Sequence, residues 1–149
     1  MRIRRSICTL LLSWAIAATS AAATEVDSPV GVWRVLDQDD HTPLALVQVY
    51  ERDAEYLGRV VKTFASEAAP LRCGACRGAL HDQPLLGMLI LHSLRRSGDH
   101  FADGELLDPE TGHTYHCVVH VRDHGQTLYL RGYVATVWLG ATQIWVREE

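Results

Sequence analysis

The sequence predicts an all-β chain: an eight-stranded antiparallel up-and-down barrel. Three observations carry this. After Val30 the apolar residues alternate with polar ones instead of recurring at helical spacing. The alternating segments are short, rich in β-branched and aromatic residues, and bounded by turn residues. There are eight of them, mostly with short connections, so sequential neighbours pair, and closure of the last strand on the first removes both exposed edges. A flattened sandwich of two sheets is the alternative.

The elements follow in order. Residues 30–36 form the first strand, ended by Asp37-Gln38-Asp39-Asp40; Pro43 precedes the second, residues 44–51 (LALVQVYE). A polar turn at residues 52–55 leads to the third strand, 56–64, where Gly58 is the place for a bulge. Residues 65–84 are the one long irregular stretch, with two cysteines and two prolines; a helical turn fits only at Ser66 to Ala69. The fourth strand, 87–95, stops at Ser97-Gly98-Asp99, and the fifth covers 100–107. Asp108-Pro109-Glu110-Thr111-Gly112 is a strong turn, because Pro presets φ and Gly supplies the left-handed position. The sixth strand, 113–122, places Tyr115, Cys117, Val119 and Val121 on one face and His116, Val118 and His120 on the other. Strands at 126–134 and 141–147 complete the set.

The N-terminus reads as a secretory signal. Arg2, Arg4 and Arg5 precede an apolar run from Ile7 to Ala18, and Ala21-Ala22-Ala23 offers an A-x-A cleavage site. The run is shorter and less apolar than the ~20 residues a membrane span requires. Cys8 lies inside the apolar run, so a lipoprotein reading is rejected. The expected organisation is a signal over residues 1–23 and one domain over 24–149, with 24–28 as a short flexible tail, located in the bacterial periplasm or secreted, with no membrane span after cleavage. Loss of the signal removes three of the 14 Lys+Arg and none of the 18 Asp+Glu, leaving a net charge of −7 with neutral His. An acidic domain without clustered Lys and Arg is a poor match to a phosphate backbone, which argues against nucleic acid as a partner.

Cys73 and Cys76 form a C-x-x-C. A disulfide is the favoured reading in an oxidising compartment. A thioredoxin-like redox centre wants a helix to follow the motif, and no helical pattern does. A zinc site needs two further ligands; His116 and His120, four apart on one strand, are separated by ~13 Å and do not share a metal. Cys117 makes the cysteine count after the signal odd, and its strand position reads as a buried thiol; pairing with Cys73 or Cys76 is the rival. Eight histidines are scattered along the chain, several of them in turns or on the outer face. No Ser/His/Asp constellation stands out, and Ser93 beside His92 lacks a nucleophile elbow. The expectation is therefore no enzyme, no metal and no cofactor. Trp33 near one end of the chain and Arg147 near the other meet if the meander closes, and a guanidinium over an indole adds ~0.5–2 kcal/mol there. Trp138 and Leu139, in a connection with few polar residues, either project from a barrel end or plug it.

Several of these residues are familiar as an ordered set. Gly31-Val32-Trp33 opens the first strand as the G-x-W signature does in lipocalins. Cys73-Gly74-Ala75-Cys76-Arg77-Gly78, Gly87-Met88 and Gly104 to Pro109 follow, then Gly112, Tyr115, Cys117, Arg131-Gly132-Tyr133, Gly140, Gln143, Trp145 and Arg147. In order and spacing the set resembles the bacterial family called domain of unknown function 2147, from about Pro29 to Arg147. The resemblance implies an exported, lipocalin-like barrel and carries over no catalytic residue; lipocalins also show a similar Trp–Arg arrangement. The expected function is an exported protein that sequesters or carries a small apolar or amphipathic molecule. The nominated interior residues are Val47, Val49, Met88, Ile90, Tyr115, Val119, Leu128 and Leu130, with the Tyr115 hydroxyl available to orient a ligand. The alternative is a filled barrel whose outer surface binds an envelope protein partner. The two differ in whether the interior holds a cavity of ~300 Å³ or more.

Overall fold

The computed structural model describes residues 27–64 and 71–148. The signal read at residues 1–23 and the helical turn at Ser66 to Ala69 lie outside the described residues. Eight strands run β1 (Gly31–Leu36), β2 (Pro43–Arg52), β3 (Glu55–Thr63), β4 (Leu89–Ser97), β5 (His100–Leu107), β6 (Thr114–Arg122), β7 (Thr127–Tyr133) and β8 (Gly140–Arg147). They form a closed antiparallel barrel in sequence order. The one helical element among the described residues is a 3₁₀ turn, Gly78–Leu80.

Two-residue periodicity places the core. On β6, Cys117, Val119 and Val121 are buried, and on β7 so are Leu128 and Leu130, while the residues between them are more exposed. The β2–β3 hairpin turns through Asp53 and Ala54, both in the left-handed region at φ 54° and 62°, which suits the twist of the flanking strands. At Gly58 the β3–β4 pairing shifts register on both sides, the bulge its glycine implied. Bending there brings β3 and β4 close: a Cβ on Gly58 would lie 2.9 Å from the Leu91 side chain.

The seam between β1 and β8 is short, with Trp33, Arg34 and Val35 opposite Arg147, Val146 and Trp145. Arg147 reinforces it. Its guanidinium carbon sits 4.3 Å from the centre of the buried Trp33 ring. Its three nitrogens donate to backbone carbonyls of Gly125, Val30 and Ser28, and Trp33 Nε1 donates to the Pro29 carbonyl at 2.7 Å. Ser28, expected in a loose tail, is thus strapped under the barrel. Gly31 makes room for this: its φ is +148°, and a Cβ there would stand 2.1 Å from an Arg147 nitrogen.

The two barrel ends differ. At the end closed by Arg147, Trp33, Val49, Leu94, Phe101, Val119 and Leu128 are each at most 1 % exposed and pack into a solid base. Tyr56 meets Phe101 edge to face at 5.0 Å. The other end is formed by the turns after β1, β5 and β7 and by the long connection from β3 to β4, and there the interior is open.

Candidate functional site: the mouth of the barrel

Alternation along each strand sends side chains inward at every level, and at the upper levels they leave space. A cavity of about 710 Å³ opens at the unsealed end, with apolar walls from Val47, Val60, Ile90, Leu106 and Trp145. A second hollow of about 660 Å³ lies beside it against Tyr115, Leu130, Trp138 and Leu139. The two share Gln38, Leu106, Asp108 and Gln143, so they are adjoining lobes of one mouth. Both exceed the ~300 Å³ that a small-molecule site requires.

The structure divides the eight nominated residues by depth. Val47 and Ile90 line the larger lobe, and Tyr115 and Leu130 the smaller. Val49, Met88, Val119 and Leu128 are buried but line neither lobe. Sequence reasoning missed Val60, Leu106 and Trp145, which are inward residues of strands it had identified, and it missed Gln143. Gln143 is the inward residue two before Trp145 on β8. Its amide oxygen accepts from Trp145 Nε1 at 3.2 Å, and its amide N–H groups have no protein partner among the described residues. A polar group with unused donors at the junction of two apolar lobes is suited to orient a ligand.

The ceiling is the part of the β3–β4 connection from Leu71 to Leu85. It is a small hairpin held by backbone bonds: Cys73 N–H donates to Gln83 O, Asp82 N–H to Cys73 O and Leu85 N–H to Leu71 O. Cys73 and Cys76 form a disulfide across its near end, with Cα atoms 5.3 Å apart. The motif lies in the turn of this hairpin, followed only by the single 3₁₀ turn Gly78–Leu80, and not at the start of an α-helix as in a thioredoxin-like centre. Leu71, Arg72, Gly74, Ala75 and Leu85 face the larger lobe. The hairpin leans on the β5–β6 turn. Gly112, at φ +70°, would place a Cβ 2.1 Å from the Ala75 carbonyl oxygen, so only glycine admits this contact.

Around the opening stand Asp37, Asp39, Asp108 and Glu110, and among the described residues lining the larger lobe Arg72 is the one base. Arg72 donates to the Asp82 carbonyl at 2.8 Å and so serves the hairpin. Asp37 and Asp108 accept backbone N–H groups of their own turns. None of the four carboxylates forms a salt bridge among the described residues. The mouth is therefore an apolar well with a negative rim.

Other reactive groups lie apart from this well. Cys117 is a free, buried thiol, and desolvation, with a smaller contribution from Glu105, pushes its pKa from 9.0 up to about 12. It should resist alkylation in the native protein and react once the chain unfolds. The folded state holds the proton more tightly, so above pH 9 the unfolded thiol ionises first. Stability should then fall by up to ~1.4 kcal/mol per pH unit towards pH 12. Denaturant midpoints measured across that range check this, and Cys117→Ala should flatten the slope. His92, Ser93 and Glu105 cluster on the outer face, but Ser93 Oγ at 3.3 Å and the Glu105 carboxylate at 3.4 Å both meet the same ring nitrogen, Nδ1. A serine relay uses the two nitrogens for two partners, so this is not its geometry. His100 and His120 stack at 5.3 Å across β5 and β6. No group of three or more His, Cys, Asp or Glu placed to hold a metal occurs among the described residues.

The barrel is similar to protein HP1028 from the human pathogen Helicobacter pylori, which belongs to the lipocalin family. The TM-score is 0.69 at 16 % sequence identity, over 80 % of this chain and 82 % of that one. At that identity the likeness concerns the fold. No curated protein matches the chain significantly. Residues 31–147 match DUF2147, described as "uncharacterized protein conserved in bacteria", a span from the first glycine of β1 to the arginine that seals the base. The chain is a member of the DUF2147 family with a lipocalin-like barrel.

Proposed function

We propose that this is an exported binding protein that carries or sequesters a small apolar or amphipathic molecule in the mouth of its barrel. The observation that carries the reading is the larger lobe: about 710 Å³ with walls of Val47, Val60, Ile90, Leu106 and Trp145. Burying apolar ligand surface there is worth roughly 25 cal/mol per Å² before the costs of association. Gln143 and Tyr115, which line the mouth, bring polar side chains to it, which favours an amphipathic molecule over a pure hydrocarbon. Export rests on the N-terminal signal pattern, and a disulfide at the lid accords with an oxidising compartment. A binding role without catalysis agrees with the family resemblance in fold and with an interior of mainly apolar side chains.

Native mass spectrometry of the protein purified from its own bacterium tests this. The expected spectrum contains a second charge series displaced by the mass of one small molecule, which collapses to the bare chain on activation. A single bare series, together with no uptake of added apolar compounds, would return the reading to a barrel that acts only through its outer surface.

A further inference from the structure

The connection from β7 to β8 projects from the mouth as an apolar tip. Trp138 is 91 % exposed, Leu139 76 % and Val134 72 %, and Val137 is also exposed. From Gly132 to Val146 the chain carries no charged side chain. Single exposed apolar residues are ordinary, but a contiguous group on one loop marks a contact surface. The loop is also held in place. The Arg131 guanidinium donates to the carbonyls of Val137 and Trp138 and to Thr142 Oγ1, and Leu139 N–H donates to the Thr136 carbonyl. Pinned from behind at its backbone, the tip presents its side chains outward at little further cost in conformational entropy.

We infer that this tip docks the barrel mouth on a zwitterionic lipid surface. Two features select that occupant. Trp138 and Leu139 also wall the smaller lobe, so an amphipathic molecule passing between a lipid layer and the well would stay on apolar surface throughout. The rim carboxylates Asp37, Asp39, Asp108 and Glu110 repel an anionic surface, whereas they complement the outward ammonium groups of zwitterionic lipids. An exposed Trp flanked by aliphatic residues is suited to the boundary between headgroups and acyl chains. The inference extends the carrier reading, and the two fail separately. Retained uptake of an apolar probe with no response to vesicles removes the docking surface alone. Vesicle partition with no probe uptake removes the carrier alone.

The test uses the protein recovered after export, from which loss of residues 1–23 removes Trp14 together with the apolar run of the signal, so that no tryptophan reports from the N-terminal segment and no signal partitions into lipid. Trp33 and Trp145 are buried, which leaves Trp138 as the solvent-sensitive emitter. Phosphatidylcholine vesicles should shift its emission to the blue, and brominated acyl chains should quench it. Val137→Ser with Leu139→Ser keeps the reporter and should raise the lipid concentration needed by about tenfold or more. Val61→Ser, at an exposed apolar position on β3, should leave it unchanged. Adding phosphatidylglycerol at low salt should weaken the response. Emission that ignores phosphatidylcholine vesicles, that persists in the double serine variant, that falls equally in Val61→Ser, or that strengthens with anionic lipid overturns the proposal. A tip that stays in water beside vesicles and is shielded only by a second protein does so in favour of a protein partner.

Discussion

Arg147→Ala should lower stability by ~2–4 kcal/mol while leaving a folded barrel. The side chain does two things at once. It stacks its guanidinium on Trp33, and it donates to three carbonyls, those of Ser28 and Val30 just before β1 and that of Gly125 in the β6–β7 turn. Hydrogen bonds from a charged donor contribute more than neutral ones, and those to Ser28 and Val30 tie β8 to the chain just before β1, across a seam held by three strand pairings. Water reaches the vacated carbonyls, which keeps the loss below the sum of the separate bonds. Arg147→Lys should recover only part of it, since an ammonium keeps the charge but lacks the planar fork that serves three acceptors. Thermal and urea unfolding of both variants give the comparison. An Arg147→Ala protein as stable as the parent would mean that the strand pairing alone closes the barrel.

Val119→Phe and Val60→Phe should behave oppositely, although both positions are buried valines on inward faces. Val119 is fully buried in the base and lines neither lobe. A larger ring there has no space and should cost ~1–3 kcal/mol through displaced neighbours. Val60 borders the larger lobe, so phenylalanine extends into empty volume and should change stability by less than ~1 kcal/mol in either direction. The contrast reads depth within the barrel directly, because the chemistry of the substitution is the same at both sites. Equal destabilisation would mean that the upper interior is as solid as the base.

The strands were legible in the sequence because each carries its own two-residue period and a turn at its end. Asp108-Pro109-Glu110-Thr111-Gly112 and the bulge at Gly58 were visible for the same local reason. Which face is inward was legible too: Cys117, Val119 and Val121 share it as expected. Height along the barrel was not. Val47 and Val49 are two residues apart on one face of β2, yet the first reaches the well and the second the sealed base. Alternation assigns a side of the sheet, whereas height depends on strand tilt and on which end the chain covers. The covering hairpin is built from backbone bonds that leave no pattern in residue type, so the Cys73–Cys76 pair was visible as a motif but not as part of a ceiling. Gln143 was overlooked as a site residue because one inward polar residue on an exposed-looking strand breaks the alternation on which the reading relied.

A titration with a neutral apolar dye, N-phenyl-1-naphthylamine, tests the carrier account most directly. The parent protein should enhance its emission to saturation at one equivalent. Val60→Phe, stable but with its ring in the well, should weaken that binding by about tenfold or more, while Val119→Phe under conditions where it remains folded should bind as the parent does. A parent protein that leaves the dye dark, or a Val60→Phe protein that binds it unchanged, would contradict the assignment of the mouth as the binding site.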